Sequence, residues 1–263
     1  MHCVVVQRRE AVFEIMLNRP EVLNAANREL IGELAAATAE AAEDRSARVV
    51  LLRGAGTHFC AGGDITMFGE LVGLPPVERR KALYRIVDGL HPLLIHLRHM
   101  PKPVVAAVQG AAAGVGLSLV AAADLAFAAE DAIFTSGYIH LGTSPDGGLT
   151  ALLARAVGLK HAAELMLLGE RFDAPRALQL GLVNRLVPSA ALEAEAMGSR
   201  RGWPAVRPTL TRAPKPCSRR PSATPSMRSF AARPKASPPA PRPRSSSRGA
   251  GHFSKSASPI LQI

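Results

Sequence analysis

The chain has 263 residues, with 32 Lys and Arg against 21 Asp and Glu, a formal net charge of +11 and 48% hydrophobic residues. That length suffices for one large domain or two small ones. The charge is unevenly spread, because residues 1–197 carry 21 acidic and 18 basic residues whereas residues 198–263 carry 14 basic residues and no acidic one. This division excludes a uniformly basic domain, and the two segments are interpreted separately.

No stretch approaches the roughly 18 consecutive apolar residues of a membrane span. The N-terminus also lacks the charged, apolar and small-residue regions of an export signal. Cys3, Cys60 and Cys217 are an odd number of cysteines without CxxC spacing, which argues against a disulfide framework and a zinc site. These features predict a cytoplasmic protein with no membrane partner.

The first part of the chain alternates predicted strands and helices. Residues 3–7 and 11–17 are β-branched runs around a polar 8–10, which predicts a hairpin or a pair of strands. Asn27 is expected to cap a helix that extends to about residue 44. Residues 49–54 then have the apolar pattern of a fully buried strand.

The same alternation continues. Residues 103–108 predict another buried strand, followed by a helix that ends near residue 123 and a short strand at residues 125–128. After a turn at residues 143–148, the pattern predicts three helices and a final strand, at residues 149–157, 160–168, 174–180 and 183–187. Strands that alternate with helices predict an α/β fold with parallel pairing.

Three glycine-rich segments, residues 60–64, 110–116 and 144–148, are each expected to follow an extended run and to precede a helix. Such turns leave free backbone N–H groups at a helix N-terminus, where they can hold an anion or a developing oxyanion. Tight turns that only allow close packing are the alternative.

Other chemistries find no support in the sequence. It contains no GxxxxGK[ST], GxSxG or HExxH motif, and no GxGxxG with a following acidic residue. His91, His96 and His99 do not repeat a metal-site spacing. A partly exposed helix face explains these histidines better, so no metal site is predicted.

Four segments in order resemble the successive signatures of the crotonase (enoyl-CoA hydratase/isomerase) family: NRPEVLNA at 18–25, FCAGGDI at 59–65, PKPVVAAVQG at 101–110 and LGTSPDGG at 141–148. The resemblance covers the chain from its first strand to about residue 197. It implies a crotonase-like spiral of ββα turns that binds an acyl-CoA thioester. C-terminal helices are expected in the family, but the C-terminal sequence of this chain does not show their pattern. Coenzyme A would enter as part of the substrate, and no other cofactor is implied.

The same resemblance implies roles for particular residues. The backbone N–H groups of Gly63 and Val115 would stabilise the enolate oxygen of a thioester, with Gly114 allowing close approach of the backbone. Four further residues would line the pocket for the CoA adenine and pantetheine, largely through the main chain: Ala25, Ala61, Asp64 and Ile65.

Members of the family catalyse several reactions, and these reactions differ in the residues that act as acid and base. Hydratases use two glutamates, and the matching positions here are Ser118 and Tyr138, neither of which is a general base near neutral pH. Both are expected to shape the acyl pocket, where Tyr138 could also donate a hydrogen bond, or to pack in the core. Ordinary enoyl-CoA hydration is therefore disfavoured.

Asp146 occupies the position at which isomerases of the phenylacetate-pathway type place a catalytic aspartate. A single carboxylate suits conversion of a 3-enoyl-CoA to a 2-enoyl-CoA, because it can take a proton from one carbon and return it to another. The alternative is that Asp146 only caps the following helix. Within the family, an atypical hydratase, a thioester hydrolase and a non-catalytic acyl-CoA binder remain open.

Residues 198–263 have the Arg-, Pro-, Ser- and Ala-rich composition of a disordered segment. One interpretation, from a different class of protein, is a basic arm that binds nucleic acid. Another is a shifted reading frame. Back-translation of residues 251–263 with permitted codons, read from the third base, gives AFLEKRQPDFAD, which resembles the end of family members.

The same offset gives family-like helices from residues 197–215 and 222–239. We therefore hypothesise a frameshift close to residue 197. On that hypothesis the body at residues 1–197 is one acyl-CoA-binding domain, no nucleic-acid partner is expected, and the assembly is a homotrimer or a dimer of trimers.

Overall fold

The computed structural model describes residues 2–198, which form a mixed α/β fold. The strands are β1 (Val4–Arg9), β2 (Val12–Leu17), β3 (Val49–Gly54), β4 (Val104–Val108), β5 (Ala111–Ala113), β6 (Leu125–Ala129), β7 (Ile133–Thr135), β8 (Phe172–Asp173) and β9 (Arg185–Val187). The helices are α1 (Arg28–Glu43), α2 (Ile65–Val72), α3 (Pro76–His99), α4 (Val115–Ala122), α5 (Leu149–Val157), α6 (Leu159–Leu168), α7 (Ala174–Gln179) and α8 (Leu192–Gly198). The predicted fold class is confirmed.

Six strands form the main sheet, in the order β1-β2-β3-β4-β6-β9. β1 and β2 are the predicted antiparallel pair, and each later pair in this sheet is parallel. Alternate side chains point to opposite faces of a strand. Val50 and Leu52 of β3 therefore join the larger apolar core with α1, whereas Leu51 joins a smaller core with α8.

The second sheet, in the order β5-β7-β8, has no counterpart among the predicted strands. Its strands are two or three residues long, too short for a period of two to be recognised. β5 lies inside the second glycine-rich segment. An isolated bridge between Ala112 of β5 and Cys60 places that segment beside the loop of the first one.

The start of α1 agrees with its prediction, because the Asn27 side chain accepts a hydrogen bond of 2.8 Å from the Leu30 backbone N–H. α3 contains Pro92 in its interior, where proline usually breaks a helix, and no bounds were predicted for this helix. His91 and His99 are exposed on α3, as the helix-face interpretation expected. Within residues 2–198, no helix is long and apolar enough to cross a membrane.

The hypotheses about the basic tail concern residues that lie almost wholly outside the described part of the chain. Only Gly198, at the end of α8, falls within it.

Candidate active site

The first two glycine-rich loops lie side by side. Cys60 and Ala112 form a parallel bridge, and two backbone hydrogen bonds of 2.9 and 3.0 Å join the segments there. Gly63 and Val115 each follow their own bridge residue by the same number of positions. The two predicted donors therefore stand at equivalent points on neighbouring segments.

Both predicted donors have available N–H groups. Among residues 2–198, no group accepts a hydrogen bond from the backbone N–H of Gly63 or of Val115. Val115 is the first residue of α4, where backbone N–H groups have no partner within the helix. The positive end of the helix dipole adds to their attraction for an anionic oxygen.

Glycine is required where these loops meet. Gly114 has a φ of +51°, and a Cβ there would lie 3.6 Å from the Cα of Gly62 and 3.8 Å from the Tyr138 hydroxyl oxygen. A Cβ at Gly116 would lie only 2.4 Å from the carbonyl oxygen of Cys60. Glycine is therefore required at position 114 by its backbone conformation and at position 116 by the close approach of the two loops.

The predicted acid–base residue is hydrogen-bonded to another predicted site residue. Tyr138 begins a 3₁₀ helix (Tyr138–Leu141), is only 8% exposed, and donates a hydrogen bond of 2.6 Å to Oδ1 of Asp146. The hydroxyl of the fully buried Ser118 lies 3.4 Å from the carbonyl oxygen of Asp146 and 3.3 Å from that of Gly114. Ser118, Tyr138 and Asp146 therefore come together beside the glycine that precedes Val115.

The surroundings shift both titratable groups of this cluster. Burial raises the pKa of Asp146, and the hydrogen bond from Tyr138 offsets only part of that rise. Burial, together with the charge of Asp146 and the hydrogen bond to it, raises the pKa of Tyr138 well above its ordinary value. The phenol is therefore a proton donor in a hydrogen bond, and the carboxylate is the group of the pair suited to accept a proton.

The helix-capping alternative for the Asp146 side chain is wrong. Gly148 is the N-cap of α5, no side chain of the described residues caps that helix, and Asp146 accepts from the Leu149 N–H through its backbone carbonyl oxygen. The third glycine-rich segment also departs from its prediction, because it follows a 3₁₀ helix instead of an extended run. Its turn uses Gly147 and Gly148 at positive φ, which a local apolar pattern does not reveal.

The four residues predicted to line the CoA pocket are brought together. Backbone hydrogen bonds of 2.7 to 3.0 Å pair the segment at residues 23–26 with the segment at residues 61–64. Ala25 and Ala61 are partly exposed, and Ile65 is 58% exposed. The same pair of segments contains Gly63.

The Asp64 carboxylate is occupied by protein partners. It accepts hydrogen bonds from the Thr66 N–H and hydroxyl at 3.0 and 2.6 Å, and from the Arg19 guanidinium at 2.9 Å. Burial alone would raise the pKa of Asp64, but these hydrogen bonds outweigh burial and lower it. The Asp64 carboxylate is therefore engaged within the protein, and the Asp64 backbone N–H also donates to the Ala26 carbonyl oxygen at 3.0 Å.

Sequence reasoning missed Asn24, whose side chain holds three backbone groups next to these segments. Asn24 is fully buried with a φ of +56°, and its side-chain oxygen accepts from the Arg19 N–H at 2.8 Å. Its side-chain amide donates to the carbonyl oxygens of Ala55 and His58 at 2.9 and 2.7 Å. An asparagine in the loop after a strand was the available signal, because Asn adopts the left-handed conformation more readily than most residues.

A separate cavity of about 440 Å³ lies beside α4 and α5, where Arg98, Asp124 and Arg155 are among its lining residues. None of the predicted site residues lines it. Within residues 2–198, no three side chains of His, Cys, Asp or Glu are grouped as a metal site requires.

The enoyl-CoA hydratase/isomerase family model matches residues 7–236 of the chain. The 1,2-epoxyphenylacetyl-CoA isomerase of Escherichia coli is 35% identical over 192 residues, which cover 73% of this chain and 72% of that protein. The trans-2-decenoyl-[acyl-carrier-protein] isomerase of Streptococcus mutans is 32% identical, over 69% of this chain and 68% of that protein.

Among solved structures, an enoyl-CoA hydratase of Mycobacterium avium subsp. paratuberculosis is 35% identical and superposes with a TM-score of 0.70, over 80% of this chain and 83% of that one. Other curated relatives are matched over about two thirds of their own length. With the family model matching most of the sequence and the fold shared, the chain belongs to the enoyl-CoA hydratase/isomerase (crotonase) family.

Proposed function

We propose that the protein isomerises 3-enoyl-CoA thioesters to 2-enoyl-CoA thioesters, with Asp146 as the acid and base. The observation that carries this proposal is the meeting of three groups at Gly114. A Cβ at that position would lie within 3.8 Å of both Gly62 and the Tyr138 hydroxyl, and the same hydroxyl holds Asp146. These contacts support a site in which the carboxylate and the two available N–H groups act on one substrate.

In the proposed reaction, Asp146 accepts a proton from C2 of the 3-enoyl chain, and the C–H electron pair moves into the thioester. The resulting dienolate carries negative charge on the thioester oxygen, where the N–H groups of Gly63 and Val115 stabilise it. Asp146 then returns the proton to C4 as the double bond forms between C2 and C3. The carboxylate is regenerated, and no oxidant, reductant or metal enters the balance.

The protonation states support this assignment over hydration. The raised pKa of Asp146 improves it as a base, because a catalytic group works best when its pKa approaches the working pH. Ser118 is fully buried, and a Cβ at Gly147 would lie 3.0 Å from it, so little space is left there for a longer acidic side chain. Tyr138 keeps its proton. No pair of carboxylates is therefore available at these positions to activate water.

The test is a panel of 2-enoyl-CoA and 3-enoyl-CoA esters assayed for isomerisation and hydration, with wild type and Asp146→Asn. We expect Asp146→Asn to lose about 10²- to 10⁴-fold in isomerisation, the usual contribution of a general acid–base group. CoA-ester binding should persist. Asp88→Asn, at an exposed position on α3, is the matched control and should retain wild-type turnover.

Unchanged isomerisation by Asp146→Asn would refute the assignment. Hydration of 2-enoyl-CoA by wild type that is faster than isomerisation would favour the hydratase alternative.

The proposal also covers the oligomeric state of the protein, its location in the cell and the origin of its C-terminal tail. We propose a cytoplasmic homotrimer or dimer of trimers that needs no cofactor beyond the coenzyme A of its substrate. We also propose a frameshift near residue 197, on the change of composition there, since residues 198–263 carry 14 basic residues and no acidic one. Resequencing the coding DNA tests it, and an uninterrupted frame would refute it. Sedimentation analysis tests the trimer.

A further inference from the structure

The Tyr138 hydroxyl has a defined role if Asp146 is the acid–base group. We propose that Tyr138 is a positioning residue, whose hydroxyl binds Oδ1 of Asp146 and leaves Oδ2 as the oxygen that exchanges the proton with the substrate. This inference rests on the proposed function and deepens it. It explains why a tyrosine stands where hydration would require a second carboxylate.

The geometry of the pair fits positioning. The hydroxyl oxygen of Tyr138 lies 2.6 Å from Oδ1 of Asp146, a short distance typical of a hydrogen bond to a carboxylate. Among residues 2–198, no other side chain bonds to that carboxylate. One oxygen is therefore held, and the other is left for the substrate.

The phenol itself is held firmly. Tyr138 is buried, its ring lies against Gly114, and its backbone carbonyl oxygen accepts from the Thr143 N–H at 3.1 Å. The Ser118 hydroxyl contacts the backbone carbonyl oxygen of Asp146 at 3.4 Å. An aspartate that is held at its backbone carbonyl oxygen and at one carboxylate oxygen loses little rotamer entropy when the substrate binds.

No other charge in the described part of the chain competes with this hydrogen bond. α4 contributes the uncharged Ser118 and α3 contributes Leu94, which approaches the residue after Asp146. His140, on the same 3₁₀ helix as Tyr138, lies 2.9 Å from a backbone carbonyl oxygen through its Nε2. Burial and the Tyr138 hydroxyl are the two influences on the Asp146 pKa.

The sign of the effect follows from the charge. A hydrogen bond donated to a carboxylate favours its ionised form and lowers its pKa, whereas burial raises it. Without the phenol, burial acts alone and the pKa of Asp146 rises further. Because the ionised form is the base, the acid limb of kcat/KM then moves to higher pH.

The first test compares Tyr138→Phe with Tyr84→Phe, the same substitution at a residue on α3 that is 62% exposed. For Tyr138→Phe we expect the acid limb to rise by about one pH unit, a tenfold change in proton affinity equal to about 1.4 kcal/mol. We expect kcat on the plateau to fall about tenfold and KM to change less than about threefold, because positioning acts on the transition state. Tyr84→Phe should match wild type.

A second variant keeps the proposal testable if Tyr138→Phe folds poorly. The chain contains two tyrosines, so Tyr84→Phe protein produced with 3,5-difluorotyrosine carries the analogue at position 138 alone. The more acidic phenol donates more strongly, and the acid limb should move to lower pH. Opposite shifts from the two replacements would not arise from a change in packing.

Difference infrared spectra of wild type against Asp146→Asn follow the carboxylate titration without turnover. If both replacements at position 138 leave this titration unchanged while Asp146→Asn is inactive, the positioning role is overturned and the proposed function stands. If Asp146→Asn keeps its isomerase activity, the proposed function fails instead.

Discussion

Replacing Val115 by proline removes one proposed oxyanion donor and leaves the helix able to form. Val115 is the first residue of α4, a position at which proline is favoured because its missing N–H has no helical partner. The preceding residue is Gly114, whose lack of a Cβ relieves the usual restriction before proline. The substitution therefore deletes the N–H group with little change to the backbone.

In the described part of the chain, no group accepts a hydrogen bond from the Val115 N–H, so the full effect of this donor is available to the transition state. Loss of one such donor costs about 3 to 4 kcal/mol, equivalent to a fall in kcat of roughly 10²- to 10³-fold. The proline Cδ also fills the space of the amide hydrogen and weakens ground-state binding of the thioester oxygen, so the loss is compared as kcat and as kcat/KM.

Val115→Ala is the matched control, because it keeps the N–H and loses part of the same buried side chain. Both variants should lose about 1 to 3 kcal/mol of unfolding free energy in urea. Only Val115→Pro should lose kcat in the 3-enoyl-CoA isomerisation assay. A folded Val115→Pro protein with the kcat of Val115→Ala would refute the assignment of this donor.

Two further predictions concern stability. Burial raises the pKa of Asp146 in the folded state, so its contribution to stability is fully present below its ordinary pKa and is lost as the pH rises through the folded pKa. Asp146→Asn should therefore be more stable than wild type at neutral pH and not in acid, and urea unfolding that gives a constant difference at all pH values would contradict this. Gly116→Ala would place a Cβ 2.4 Å from the Cys60 carbonyl oxygen and should cost about 1 to 3 kcal/mol, measured by thermal unfolding. Gly69→Ala, on α2 with open space around it, should instead gain up to about 1 kcal/mol, and equal effects of the two alanines would show that the close approach is unimportant.

Whether a helix or strand was predicted correctly depended on how many residues its local pattern spans. The helix at residues 149–157 was predicted with the bounds that α5 has, and the α1 helix was located by its Asn27 cap. The strands β5, β7 and β8 were missed because two or three residues carry too little periodicity. The bounds of α3 were missed because Pro92 interrupts the expected helix pattern.

The sequence by itself determined the α/β class, the main strands and the family, because long apolar runs and four ordered motifs are local properties of the chain. Only the tertiary structure decided that the loops of Gly63 and Val115 lie side by side and that the Asp146 side chain binds Tyr138 instead of capping α5. The physical reason is that such contacts depend on how the two sheets and the helices between them pack. No local pattern specifies where segments distant in the chain will meet.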